Sequence, residues 1–325
     1  MNWGLVKKGL QEGVVMFIAC GLGLFAFAMF RVWIVSELDS ARFKQIIDLL
    51  PKEWERFSTV DFAWLISYLG RTSATLSEPP ILILISLWAI VRGSDVVSGE
   101  INRGTMEMVL AQPVSRRAVY ASHTLVTAIG LVMLSLLVWA GMVLAVQFTD
   151  IKETSYPAVS VPLTGMKFPI TFAKPIETTV AMREVVDPRY FLPGVFNLFC
   201  LGFLLAGITA MLSACDRYRW RTLGIAAGIY LGSAVLKIGA MATPMLKWLG
   251  CLTFFTLYEP ELHIKQFEQI PGSLWHFLDS IPPTSNLFGF GFGPGGANIV
   301  LLSLGALFWL IGAIIFNRRD LPPPV

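Results

Sequence analysis

The chain has 325 residues, 55% of them hydrophobic and only 14% charged. Soluble domains run near a quarter charged, so this composition excludes an ordinary soluble domain and indicates a chain solvated by a bilayer. The net charge of +3 is too small to argue for nucleic acid as a partner.

A span needs about 20 mostly apolar residues. Six stretches qualify: 14–35, 79–97, 118–148, 191–215, 222–241 and 297–316. The first follows Lys7 and Lys8, and Ala26-Phe-Ala28 resembles a cleavage site. The apolar run continues through Val35, which is long enough to span, so it reads as an uncleaved helix.

Residues 37–79 follow on the outer side. Phe43, Ile46, Ile47, Leu50, Trp54 and Phe57 recur at helical spacing, and Arg42, Lys44, Asp48, Lys52, Glu53 and Glu55 fill the other side. Pro51 interrupts the pattern, so two short helices are expected. This amphipathic element lies at the interface, facing lipid or packed on the spans.

The second span ends near Arg92 and Asp95, so its last turns leave the membrane. The next stretch, 95–117, is the most informative in the chain. It is polar and charged between two long apolar segments. Gly104 and Pro113 bracket Thr105–Gln112, and Ser115 stands where it can cap the third span. A short helix so punctuated is presented to something outside the bilayer.

After the third span, residues 149–190 carry Pro157, Pro162, Pro169 and Pro175 and near-alternating apolar positions. Short extended segments are expected there. The fourth span has Gly202, Ala206 and Ala210 at steps of four, and the fifth has Gly224, Gly228 and Gly232. Such rows mark helix-packing faces, within the subunit as the default or between subunits. In residues 242–296, Leu246–Leu257 is apolar enough to re-enter the membrane. Pro282-Pro283 and the Gly-rich run 288–296 then read as a flexible turn. That run lacks the Lys-Ser/Thr ending of a phosphate loop.

Positive charge in short loops orients the chain. Lys7 and Lys8, then Arg103, Arg116 and Arg117, then Arg217, Arg219 and Arg221, then Arg318 and Arg319 all fall on one side of a six-span layout. That side is read as cytoplasmic, with both termini inside an inner cell membrane. Arg31, Arg92 and Lys237 near membrane depth read as charges that snorkel to the interface. The four cysteines, Cys20, Cys200, Cys215 and Cys251, have no motif spacing, so neither a disulfide framework nor a thiolate metal site is expected. Glu259, Glu261 and His263 read as solvated loop residues and not as a metal site. No nucleophile motif, zinc helix or P-loop is present in the sequence. The chain is therefore expected to be no enzyme, to hold no cofactor, and to form one all-α integral membrane domain over residues 1–325.

The bracketed stretch resembles the matching segment of the type-2 ATP-binding-cassette (ABC) transporter permeases. It reads Gly99-Glu100, then Arg103-Gly104-Thr105, Glu107, Leu110, and Pro113-Val114-Ser115-Arg116. Phe316-Asn-Arg-Arg-Asp-Leu321 is similar to the family's ending, and Leu50-Pro51 in a large first outer loop is similar to the branch that includes the permease of nitrous-oxide-reductase maturation. Met106 and Met108 stand where that pattern often has Leu, and the 149–190 insertion is longer than its pattern. The resemblance implies a permease, an exporter, working as a homodimer with two cytoplasmic ATPase subunits that bind ATP and Mg. Glu100, Gly104, Thr105, Glu107, Leu110, Pro113, Ser115 and Arg116 would then form the ATPase-coupling segment, and Gly224, Gly228 and Gly232 would face the cavity between the two permeases. A rival reading is a non-transporting membrane partner that passes ATPase-driven force to an extracytoplasmic complex.

Overall fold

The computed structural model describes residues 3–155, 158–160, 167–169, 176–278, 286–287 and 290–319. Among them, six helical stretches are long and apolar enough to cross a membrane, which bears out the all-α membrane fold.

The first span is α1, Trp3–Glu37. At 1.5 Å per residue its 35 residues reach about 52 Å, well beyond a hydrocarbon core of about 30 Å. The helix therefore begins eleven residues before the apolar run at 14, and its first turns carry Lys7, Lys8 and Glu12 out of the lipid. The element between the first and second spans is broken as Pro51 predicts. It comprises α2 (Ser40–Asp48), a 3-10 turn at Lys52–Phe57 headed by Pro51, α3 (Phe62–Leu65) and α4 (Tyr68–Ser73). Arg71 anchors it, donating to the Leu38 carbonyl at 2.7 Å and to Ser40 Oγ at 2.9 Å beneath the Tyr68 ring.

The second span is longer than 79–97. It runs helically from Tyr68 to Asn102 through a 3-10 turn, then α5 (Pro79–Ser94), a π-helical turn at Asp95–Gly99, and α6 (Glu100–Asn102). The short helix α7 (Met106–Leu110) follows, and then the third span, α8 (Arg116–Phe148).

Strand β1 (Asp150–Ser155) pairs antiparallel with β4 (Ile176–Ala181), from Asp150 opposite Ala181 to Ser155 opposite Ile176. Between them β2 (Ala158–Ser160) pairs with β3 (Lys167–Pro169). The extended character expected of this insertion is present. Pro157, Pro162 and Pro175 lie outside the described residues.

After α9 (Met182–Val185), the fourth span, α10 (Leu192–Cys215), forms the centre of the molecule. It touches the second, third, fifth and sixth spans. Ala206 and Ala210 are fully buried, and Gly202 meets Leu131 of the third span and Ile85 of the second.

The fifth span, α11 (Arg219–Ala242), is peripheral: 11% of its apolar stretch is buried, against 72% for the fourth. Past Ala242 the chain doubles back through 3-10 segments at Pro244–Leu252 and Phe254–Leu257. Thr253 donates to the Ser233 carbonyl at 2.7 Å, and Phe255 packs edge-on to Tyr230.

Helix α12 (Pro260–Gln269) then packs on α4 and α10. A two-stranded pair follows, β5 (Asn286–Leu287) with β6 (Phe290–Gly291). The sixth span, α13, covers Pro294–Arg318. Pro282-Pro283, residues 288–289 and Asp320-Leu321 are outside the described residues. The end of the Gly-rich run is not a turn, because Gly295 and Gly296 belong to α13. A Cβ on Gly296 would lie 2.1 Å from the Phe277 carbonyl oxygen, so only glycine lets the helix start so close to the bend at Phe277.

The snorkelling expected of Arg92 and Lys237 is not what the structure has. Arg92 is 1% exposed and donates to the Gly9 carbonyl at 3.0 Å. Lys237 turns inward to the carbonyls of Phe255 (2.8 Å) and Tyr258 (3.2 Å) and to Glu259. Both long stems reach acceptors inside the protein before they reach water. Arg31 pairs with Glu78, which precedes α5 of the second span.

Candidate functional site

The second span ends in a cluster of charges built on its π-helical turn. A π turn inserts one residue and displaces the following side chains, and it leaves backbone groups to be satisfied from elsewhere. Ser213 of the fourth span does this. Its Oγ accepts from the amides of Val97 (3.2 Å) and Ser98 (2.8 Å) and donates to the Ser94 carbonyl at 2.9 Å. Ser98 Oγ stands 3.0 Å from Ser213 Oγ, and Thr222 of the fifth span donates to Ser98 at 3.3 Å. This hydroxyl knot holds the distorted turn between the fourth and fifth spans.

Two carboxylates flank the turn. Asp95 accepts from Arg103 Nη1 at 2.8 Å and lies 3.0 Å from Arg219 Nη2, at the start of the fifth span. Glu100 is 1% exposed and is held by Lys8 Nζ at 2.9 Å, Arg103 Nη2 at 3.1 Å and Thr105 Oγ1 at 2.5 Å. His123 Nε2 of the third span lies 3.8 Å away. A buried carboxylate is retained only when paired and hydrogen-bonded, and Glu100 has both. Desolvation works against the charge on Arg103. The hydrogen bond and charge of Asp95, then the charges of Glu100 and Glu12, outweigh it and hold this guanidinium above its ordinary pKa.

The predicted punctuation is where the sequence put it. Gly104 adopts φ +68°, a left-handed turn that glycine takes without strain. Ser115 caps the third span by accepting from the Ala118 amide at 3.2 Å. Thr105 returns to the Glu100 carbonyl through its own amide at 3.1 Å, which closes the turn. Between these marks α7 is five residues long, shorter than 105–112. Met106 and Val109 face inward, and Met108 is 65% exposed beside exposed Glu107. Leu110 is half-buried against the core and Pro113 is exposed.

The structure therefore brings Glu100, Gly104 and Thr105 into one tied turn and leaves Glu107 and Pro113 on the surface. Arg116 does not join Glu100. Its guanidinium donates to the carbonyls of Phe316 and Arg319 at the end of the sixth span. Lys8, Asp95, Ser213 and Arg219 complete the cluster and were not singled out as site residues from sequence. Gly224, Gly228 and Gly232 do not pack within the subunit, the default of the two packing roles expected of them. A Cβ on any of them meets nothing within 4 Å, so their row lies open on the molecule's outside.

At the opposite end of the spans, α12 buries a second polar group. Glu261 is raised above the usual carboxylate pKa by burial, against the pull of a hydrogen bond from Ser77. Burial likewise lowers His263 to about 3. Among the described residues no three His, Cys, Asp or Glu side chains are grouped to hold a metal ion.

A family model described as ABC-2 family transporter protein matches residues 14–321. A comparison with curated proteins finds no match. With nearly the whole chain matched and six helices of membrane-spanning length, the protein belongs to the ABC-2 transporter family as a multi-pass permease subunit, and that membership implies a separate ATPase subunit as its partner.

Proposed function

We propose that this chain is the permease of an ABC exporter. It pairs as a homodimer, with the Glu100 end in the cytoplasm and α7 docked on the ATPase, which binds ATP and Mg. One observation carries the reading: the buried Glu100 carboxylate ties the turn leading into α7 to Lys8 of the first span and Arg103 of its own. Asp95 ties the same turn to Arg219 of the fifth span. A push on α7 is thereby transmitted to the first, second and fifth spans together, because ion pairs between packed helices resist separate motion.

The open Gly224, Gly228 and Gly232 row supports a partner helix or a shared cavity on the fifth span. The broken outer element after the first span supports the branch that includes the nitrous-oxide-reductase maturation permease. The paired β1–β4 ladder, which continues directly from the third span, favours a second reading in which ATPase-driven motion is passed to an extracytoplasmic complex.

The test is co-expression with the ATPase, followed by native mass measurement in nanodiscs and ATPase assays with candidate cargo. A four-chain complex whose hydrolysis rises with a cargo supports export. A four-chain complex indifferent to every small cargo but stimulated by an extracytoplasmic protein supports the second reading, and a chain that never captures an ATPase refutes both.

A further inference from the structure

We propose that the groove between the third and sixth spans binds an acidic phospholipid, with its phosphate on Arg117 and Arg318 and an acyl chain along the groove. The choice of the cytoplasmic leaflet rests on the orientation proposed above, and the binding itself does not.

The groove has a volume of about 750 Å³, within the size range of ligand sites. Its walls follow one face of each helix. Arg117, Ala121 and Leu125 recur at steps of four on the third span, and Leu310, Ile314 and Arg318 at steps of four on the sixth. The two helices run in opposite directions, so the arginine at the start of one lies level with the arginine at the end of the other. Each wall is thus apolar along its length and cationic at the same end. Leu310 and Ile314 are exposed, as residues meeting hydrocarbon would be. Tyr120 and Trp309, packed edge to face at 5.8 Å, also line the groove.

The charges at the mouth are asymmetric in a way that points to an anion. Each helix end carries two consecutive arginines, and in each pair one is consumed by the protein. Arg116 donates to the carbonyls that end the sixth span, and Arg319 donates to those of Ala214 (2.9 Å) and Asp216 (3.1 Å). Arg117 and Arg318 are exposed, and among the described residues neither side chain has a hydrogen bond or ion pair. None of the groove's lining residues is acidic. The first turn of the third span also lacks any acidic residue. Positive charge at a helix N-terminus opposes the helix dipole, and a bound phosphate relieves that conflict. Basic pockets between spans on the cytoplasmic side suit anionic lipid heads.

The experiment is native mass spectrometry of the detergent-purified full chain with equimolar phosphatidylglycerol and phosphatidylcholine of identical acyl chains. The wild type is expected to retain phosphatidylglycerol preferentially. A basic residue near an anionic lipid contributes about fivefold in binding, so Arg117→Ala with Arg318→Ala should lower that retention about 25-fold. Arg117→Lys with Arg318→Lys should keep most of it. Ala313→Phe, which fills the groove and leaves the charge alone, should lose it.

Equal retention of the two lipids by the wild type, or an unchanged preference in the alanine pair, would overturn the proposal. If the alanine pair does not fold, the lysine pair and Ala313→Phe decide. Loss of the lipid to millimolar glycerol 3-phosphate, with no effect of Ala313→Phe, would show a free-phosphate site and overturn it too. A reversed orientation would appear in the thiol-labelling experiment below and leave the lipid preference intact.

Discussion

Lys8 and Glu100 are 92 positions apart in the chain, yet the Lys8 ammonium sits 2.9 Å from Glu100 Oε2. The lysine belongs to the turns of the first span that extend beyond the apolar core. The glutamate closes the π-helical turn of the second. Glu100 is almost wholly buried, but Lys8 and Arg103 are each about one-third exposed. Truncating the carboxylate therefore leaves two cations that can turn to water.

That asymmetry sets the first prediction. Breaking a fully buried pair costs about 3–5 kcal/mol, but cations that can resolvate bring Glu100→Ala nearer about 1–3 kcal/mol. The variant should insert and pair with the ATPase, and lose most of the coupling between hydrolysis and transport. Glu100→Gln, which keeps the Thr105 contact, should fall between. Thermal unfolding in detergent alongside transport-coupled hydrolysis in proteoliposomes measures both effects. Full coupling in Glu100→Ala would show that the tie is structural only.

Orientation is checked by single cysteines in a background with the four native cysteines replaced. Glu53→Cys in the outer element should react with a membrane-impermeant thiol reagent in intact cells. Asn102→Cys at the end of α6 should react only after lysis. Both positions are exposed on the subunit, so accessibility is set by the side of the membrane they occupy. Labelling of Asn102→Cys before lysis would reverse the orientation.

The hydroxyl knot gives a third expectation. Ser213→Ala removes the acceptor for the amides of Val97 and Ser98 at a site where both serines are fully buried. An unsatisfied buried group costs about 1–3 kcal/mol, so the variant should lose stability in that range or let the π turn relax to α-helix. Relaxation would turn Glu100 away from Lys8. Scanning calorimetry of the purified chain reads the first effect, and a Lys8–Glu100 cysteine cross-link reads the second. No change in either would mean that the turn does not depend on Ser213.

The six spans, the Pro51 break, the Gly104 turn and the Ser115 cap were legible because each rests on a local rule: length, ring constraint, positive φ or a side-chain acceptor. The charged cluster was legible only in part. Glu100 stood out by its motif, but Lys8 looked like one of several orienting charges, and Ser213 like a small residue within an apolar span. Their roles depend on a meeting of distant helices that no local spacing encodes. The π turn was also invisible, since the polar residues from Arg92 to Asp95 mark where the apolar run ends but not how its last turns are wound. The neighbour of the fifth span's glycine row was not legible for the same reason. Steps of four mark a face, but not which neighbour it meets.

That row carries a fourth prediction. Gly228→Ile places a branched side chain where nothing in the subunit lies within 4 Å, so the unfolding temperature of the isolated chain should change little. Close helix approach across this face requires small residues, so the variant should dissociate the four-chain complex or block transport. An unchanged assembly with unchanged transport would mean the row faces lipid alone.

The last prediction separates docking from packing on α7. Met108 is 65% exposed and points away from the membrane domain, whereas Leu110 is half-buried against the core. Leu110 also belongs to the coupling segment that the resemblance implies, but an arginine there would push into the subunit's own packing. Met108→Arg introduces the charge on the open face alone. An apolar contact with the ATPase would be replaced by a charge desolvated without a partner, which costs several kcal/mol at a buried interface. Since each 1.4 kcal/mol is tenfold in affinity, ATPase capture should fall by about 100-fold or more while the permease keeps its unfolding temperature. Leu110→Arg should lower both. Co-purification at defined ATPase concentrations, read beside thermal unfolding of each variant, distinguishes the two positions. Undiminished capture by Met108→Arg would move the docking surface off α7 and remove the mechanical role assigned to the Glu100 tie.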